Sequence, residues 1–299
     1  MSQQVNMSGK TCIVTGANSG IGKETALGLA RMGAHVVMVC RNADKGKAAL
    51  EEIRHKSGSS QVDLLIADMS SRASVRALAL QIREKYPRLN VLINNAGGGS
   101  DPTAVSVDGI QLTLATNHLG AALLTLLLLD LLKAGAPSRI INVSSEAHRS
   151  TREIDLNNLQ PGERTFRGGF ETYGRSKLLM NAFTFELARR LEGTGVTCNC
   201  LHPGVVATNI FNKVPVGVKV ILALMRPFML NSKQGAQVSL YLASSPDVAQ
   251  VSGKYFVKSK PVESSPLSRD PKVMADVWNW TTKMTGASLD EATYSRGGS

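Results

Sequence analysis

Thr15-Gly16-Ala17-Asn18-Ser19-Gly20-Ile21-Gly22 joins an apolar β-rich run, Thr11–Thr15, to an amphipathic stretch, Gly20–Met32. Glycines at the end of a strand and the start of a helix let the backbone turn tightly and approach a ligand closely. The helix N-terminus then presents unpaired N–H groups to a pyrophosphate. Working outward, the same alternation of strand and helix recurs along the chain. Candidate strands are Thr11–Thr15, His35–Cys40, Val62–Ala67, Val91–Asn94, Arg139–Ser144, Thr197–Leu201 and Lys254–Val257. Several are continuous apolar runs, as expected of a parallel sheet covered on both faces. Helical periodicity falls at Asp44–His55, Arg72–Lys85, His118–Lys133, Glu171–Leu191 and Lys233–Leu242. The pattern predicts an α/β, doubly wound Rossmann fold, a seven-stranded parallel sheet flanked by helices on both faces. No linker divides residues 1–299, so the reading is a single dinucleotide-binding and catalytic domain. It includes a lid segment at 204–230 and a C-terminal extension at 261–299 carrying Trp278 and Trp280.

Downstream, Tyr173-Gly174-Arg175-Ser176-Lys177 places a phenol and an ammonium four residues apart, on one face of a helix. An ammonium beside a phenol favours the phenolate, which makes the tyrosine usable as an acid or base. A phosphate-holding turn together with such a pair implies a nicotinamide-dependent oxidoreductase. The second strand ends Val39-Cys40-Arg41-Asn42, where an NAD-preferring fold usually carries an acidic residue. A guanidinium matches a 2′-phosphate in shape and charge, so Arg41, assisted by Lys45, favours NADP(H). Asn94-Asn95-Ala96-Gly97 ends the fourth strand with small residues and amides suited to the adenosine ribose. Asp68 could accept from an adenine amino group or cap the helix near Arg72. Ser144 and Ser145 end the fifth strand, at the sheet edge where such folds bind ligands. Asn117 opens a predicted helix, where a capping role is the alternative.

Of the 299 residues, 43% are hydrophobic and 19% charged, and the formal net charge is +11. No basic run with interleaved aromatics accompanies that charge, which argues against nucleic acid as a partner. The four cysteines, Cys12, Cys40, Cys198 and Cys200, all fall in strands. Cys198 and Cys200 share a strand face without a matching Cys/His pair elsewhere, so they read as reduced, buried thiols and no metal is expected. Reduced thiols and a polar N-terminus predict a cytoplasmic protein. Neither Leu119–Leu129 nor Val214–Leu230 reads as a membrane span, although the second suits peripheral contact with a membrane surface. The same segment reads as a greasy lid beside the nicotinamide, or as a helix packed on the core.

Taken in order, Thr15–Gly22, Asn94–Gly97, Asn117, Ser145, Tyr173/Lys177 and His202-Pro203-Gly204 resemble the short-chain dehydrogenase/reductase superfamily. Within it, Cys40-Arg41-Asn42, Asn117-His118-Leu119-Gly120 and Leu187-Ala188-Arg189-Arg190-Leu191 make the chain similar to the retinol dehydrogenase group. The resemblance implies that Tyr173 gives or takes the hydroxyl proton and that Lys177 lowers its pKa and bonds the nicotinamide ribose. Ser145, the second of its pair, polarises the substrate oxygen, and Asn117 holds a water linking Lys177 to solvent. It implies cofactor contacts from Gly16, Asn18, Ser19, Gly20, Ile21, Gly22, Arg41, Asp68, Asn95, Ala96, Gly97 and Lys177. The turn containing Pro203, Gly204, Val206 and Thr208 completes that set, with Thr208 on the carboxamide. The substrate implied is an apolar aldehyde or ketone, or its alcohol. A quinone or polyketide ketoreductase and a low-turnover NADP(H)-binding sensor are the alternatives. Relatives pair subunits through the helix over His118–Lys133 and the helix after Tyr173, which implies a homodimer or homotetramer.

Overall fold

The computed structural model describes residues 5–157, 159, 169–205 and 230–289. The strands are β1 (Thr11–Thr15), β2 (His35–Cys40), β3 (Val62–Ile66), β4 (Val91–Asn94), β5 (Ser138–Val143), β6 (Val196–His202), β7 (Tyr255–Val257) and β8 (Lys260–Val262). They form one sheet in the order β3-β2-β1-β4-β5-β6-β7-β8. The first seven pair in parallel, as expected, while β8 pairs with β7 antiparallel. The sheet therefore has eight strands rather than seven. Lys258 and Ser259 join β7 to β8 with φ of 48° and 60°, the mirror-image turn of a two-residue hairpin. Neither is the Asn-Gly or Asp-Gly pair that usually announces such a turn, and Lys-Pro-Val does not read as a strand. Pro261 has no N–H to offer a further strand, which blunts this edge.

Helices α1 (Gly20–Arg31), α2 (Ala43–Ser57) and the later α8 (Ser232–Ser244) cover one face of the sheet. Here Ala26, Leu29, Val238 and Leu242 meet Val14, Val36, Val91 and Ile141. The other face carries α3 (Arg72–Lys85), α5 (Gly120–Leu127), α6 (Leu129–Ala134), α7 (Gly169–Arg190) and α10 (Pro271–Thr285). A buried side chain such as Leu124 or Phe183 contributes roughly 1.5–3 kcal/mol on this account.

The helix expected over His118–Lys133 begins earlier and is broken. A short α4 (Leu112–Leu114) starts where the Gln111 side chain accepts from the Leu114 N–H at 3.0 Å. A wider π turn, Ala115–Leu119, follows before α5, and Leu128 separates α5 from α6. Gln111 is a weak capping signal, which hid the true start. The tail is ordered through α9 (Pro266–Arg269) and α10, which packs on α5 and α7. The Trp278 ring stacks on Phe183 at 5.5 Å and the Arg190 guanidinium lies 4.3 Å above Trp278. The helices through which pairing of subunits was expected thus carry α10 of the same chain.

Among the described residues no helix is long and apolar enough to cross a membrane. All four cysteines are free and buried, and burial pushes their thiols above the usual range, Cys12 to about 12 and Cys40 to about 11. Such thiols are poor nucleophiles.

Candidate active site

The strand order reverses between β1 and β4, and the crevice beyond their carboxyl ends is where this architecture binds ligands. Gly16 and Gly20 have φ of 69° and 57°, a left-handed conformation that L side chains rarely adopt. At Gly22 a Cβ would run into the Gly16 carbonyl and the Asn95 amide. Asn95 braces this turn by donating from Nδ2 to the Thr15 carbonyl at 2.8 Å. Its own N–H and that of Ala96 donate to Thr15 Oγ1, each at 3.0 Å. Gly16 N–H donates across to the Val39 carbonyl at 2.8 Å.

At the mouth of α1, Ser19 is extended and makes no side-chain cap. The first-turn N–H groups therefore face outward, with Asn18 and Ile21 half-buried beside them. That uncapped helix end, in a cradle where a Cβ would not fit, matches a dinucleotide pyrophosphate.

Arg41 and Lys45 are exposed at the carboxyl end of β2. Arg41 makes no hydrogen bond or ion pair among the described residues, while Asn42 next to it caps α2 by accepting from the Lys45 N–H at 2.9 Å. Asp68 is half-buried after β3 and accepts from the Ser70 N–H and hydroxyl at 2.9 and 2.7 Å. It does not cap α3, because Ser71 does. Pro203 and Gly204 follow β6, Gly204 with φ 91°. Val206, Thr208 and the lid reading over Val214–Leu230 lie outside the described residues, apart from Leu230 itself, whose N–H donates to the Val205 carbonyl at 2.8 Å.

Asn117, Ser145, Tyr173 and Lys177 come together at the ends of β4 and β5. Ser145 is half-buried beside the Tyr173 phenol, its Oγ accepting from the Ala147 N–H at 3.2 Å, whereas Ser144 is 2% exposed and turns inward toward the Lys177 carbonyl. Lys177 is 4% exposed, donates from Nζ to the Val143 carbonyl at 2.8 Å, and lies 5.5 Å from the Tyr173 ring centre. A Cβ on Gly97 would stand 2.7 Å from Asn117 Oδ1 and 3.5 Å from Lys177 Nζ, so all three share one small space.

Asn117 is not a helix cap. It sits in the π turn, accepts from the Gly98 N–H at 2.9 Å, and donates to the Gly98 carbonyl at 3.1 Å and to Ser176 Oγ at 2.9 Å. Ser176 Oγ in turn donates to the Tyr173 carbonyl at 2.7 Å. A π turn inserted in a helix often marks such a site.

Burial holds the Tyr173 phenol above its usual value, with the Ser145 hydrogen bond acting in the other direction. Burial also pulls the Lys177 ammonium down to about 8. Both groups sit out of water, and desolvation disfavours the charged form of each.

Gly174, to which the sequence reading assigns no role, is what lets α7 approach the turn after Ser145. A Cβ there would lie 2.7 Å from both the Ala147 carbonyl and Ser150 Oγ. Its signal was a glycine inside a helix, one residue from the tyrosine. His118 and His148 are both fully buried beside Asn117 and Ser145, and nothing in their local sequence indicated it.

The chain matches the short chain dehydrogenase family over residues 10–155. It is 42% identical to human retinol dehydrogenase 14 over 298 residues, covering 94% of this chain and 87% of that protein. A crystal structure of an uncharacterised protein from Mycobacterium paratuberculosis superposes with a TM-score of 0.77 and 32% identity, over 95% of this chain and 97% of the other. The Pseudomonas aeruginosa RhlG/NADP active-site complex superposes with a TM-score of 0.67 and 25% identity, over 86% and 97%. With the glycine turn, the strand order and the serine–tyrosine–lysine cluster all in place, this chain belongs to the short-chain dehydrogenase/reductase superfamily, among proteins like the retinol dehydrogenases.

Proposed function

We propose that this dehydrogenase/reductase uses NADP(H) to interconvert an apolar aldehyde or ketone and its alcohol, with Ser145, Tyr173, Lys177 and Asn117 as its working residues. The observation that carries the reading is the placing of two hydroxyl side chains, Ser145 and Tyr173, beside buried Lys177 at the ligand edge of the sheet. When bound, the nicotinamide supplies or accepts the hydride. Negative charge then develops on the substrate oxygen, and two hydroxyl donors aimed at that oxygen stabilise it. Tyr173 gives up its proton in reduction and takes one in oxidation. Lys177, charged at neutral pH despite its depressed pKa, stabilises the phenolate that reduction leaves behind. Asn117 fixes the Gly98 backbone against α7, which keeps the floor of the site closed.

NADP(H) is favoured over NAD(H) because exposed Arg41, without a protein partner among the described residues, stands at the ribose end of β2. The RhlG/NADP complex named above is consistent with that choice. An apolar substrate is supported by the likeness to proteins named retinol dehydrogenases.

The test is loss of reduced-nicotinamide absorbance with NADPH against all-trans-retinal, a steroid ketone, a quinone and an aliphatic aldehyde, repeated with NADH. Turnover of retinal or another apolar carbonyl with NADPH is expected. Turnover confined to the quinone selects the ketoreductase alternative. NADPH binding without turnover of any of them selects the sensor. Arg41→Asp is expected to lower the NADPH to NADH preference roughly 10–100-fold, the worth of a charge-assisted contact. An unchanged ratio removes Arg41 from the cofactor site.

A further inference from the structure

The segment beyond β7 adds a strand and two helices, and both helices pack on α7, which carries Tyr173 and Lys177. Two buried histidines connect it further to the turns that hold Ser145 and Asn117. His148 lies in the short helical turn Glu146–Ser150 that follows Ser145. Its Nδ1 is 2.6 Å from the Ser145 carbonyl, which can only accept, so Nδ1 carries the hydrogen. Its Nε2 is 3.0 Å from the Ser265 N–H, which can only donate, so Nε2 carries the lone pair. Two backbone partners therefore fix one neutral tautomer.

Both ends of this link are rigid. Ser265 accepts from the Ser268 N–H at 3.4 Å and its carbonyl accepts from Ser268 Oγ at 2.8 Å. Around His148, the Tyr255 ring stands edge-on at 4.9 Å, and Tyr255 donates to Glu146 Oε1 at 2.7 Å. Arg149 donates to Glu146 Oε2 at 2.7 Å and also to the Glu263 carbonyl, a second tie to the C-terminal segment. Burial and the Arg149 charge hold the imidazole neutral, the Ser145 carbonyl and Glu146 oppose them, and His202 lies close by.

His118 ties the segment to the other side of the site through one ring nitrogen, its buried Nδ1 having no partner among the described residues. It follows Asn117 in the π turn and is fully buried. Its Nε2 is 2.7 Å from Thr281 Oγ1 on α10, its ring stacks on Trp280 at 6.0 Å, and Phe183 meets it edge-on at 5.8 Å. Asn117 holds Gly98 and Ser176 while the next residue holds α10. The same turn is thus clamped from both sides.

We propose that His148 and His118 are positioning residues through which the C-terminal segment 264–285 sets the Ser145 and Asn117 backbone for catalysis. This rests on the reading of Ser145 and Asn117 as working residues. The segment is then part of the active site's support rather than an appendage, and residues from its two ends act on two different catalytic groups.

The test uses the full chain. His148→Asn keeps a side-chain N–H for the Ser145 carbonyl and loses Ser265, while Thr281→Val removes the hydroxyl facing His118 at constant size. Thr281→Ser restores that hydroxyl. We expect kcat to fall about 10–100-fold in His148→Asn and about ten-fold in Thr281→Val, as small displacements at a reacting centre do. The Kd for NADPH should stay within about two-fold, and Thr281→Ser should recover the lost kcat. Folded His148→Asn and Thr281→Val proteins with wild-type kcat would overturn the proposal. If the wild type turns over no carbonyl, it is the functional reading that fails, and amide exchange then decides the positioning claim. Faster exchange over residues 143–151 in His148→Asn, and over 112–119 in Thr281→Val, supports the link; unchanged exchange rejects it.

Discussion

The glycine turn and the serine–tyrosine end of this site are built by opposite means. The turn is almost wholly backbone: two glycines at positive φ, a third too crowded for a Cβ, and one asparagine amide stitching β4 to β1. Its parts lie on neighbouring strands and tolerate little variation, since a Cβ at Gly16 or Gly22 would meet backbone and the Asn95 amide. The serine–tyrosine end is built from side chains, including a buried lysine, and is braced by histidines that reach into the last helices. A cofactor cradle needs shape that the chain creates locally. A proton-transferring pair needs a tuned environment, and that has to be assembled from distant parts of the fold.

The largest effect that would sharpen this contrast is expected from Tyr173→Phe. Removing the proton donor should cut kcat by roughly 10²–10⁴-fold while the NADPH Kd is unchanged, measured by turnover and by titration of nicotinamide fluorescence. Retained turnover would break the assignment of the two regions to chemistry and binding. Gly174→Ala comes next. The added methyl would press on the Ala147 carbonyl and Ser150, so α7 must move away from the turn after Ser145. A kcat loss of about ten-fold and destabilisation of about 1–3 kcal/mol are expected, again with cofactor affinity kept. A matching loss of NADPH affinity would show that the two regions are mechanically one.

The smallest effect is on stability against pH, and it belongs to the C-terminal side alone. Burial lowers the His118 pKa from 6.5 to about 3. The unfolded chain therefore takes up a proton that the native one refuses, and the stability this contributes is full above about pH 6.5. It declines as pH falls below that value and levels off near pH 3. Between pH 7 and 5 the loss from this residue should be about 2 kcal/mol. His118→Phe should remove that part of the slope in denaturant titrations at the two pH values, and an unaltered slope would show that His118 titrates freely.

Much of the site was legible because its signals are local. Tyr173 and Lys177 stand four residues apart on a helix whose bounds, Gly169–Arg190, lie within two residues of those expected. Ser145 could be placed at a strand end, and the structure separates it from inward-facing Ser144. The direction of the tyrosine's pKa shift was not legible, because it depends on how much water the finished fold excludes. The eighth strand escaped for a local reason, the Lys258-Ser259 turn that adopts a glycine-like conformation without glycine.

The sequence by itself determined the alternation of strand and helix, the glycine turn, and the phenol–ammonium pair. Each rests on spacings of a few residues that dihedral preferences and hydrophobic periodicity convert directly into structure. Only the tertiary structure decided that His148 is a neutral link to Ser265 and that His118 is held by Thr281, contacts spanning 117 and 163 residues. A buried imidazole takes its tautomer and its charge from whatever groups surround it, and those groups are brought there by packing rather than by neighbourhood in the chain.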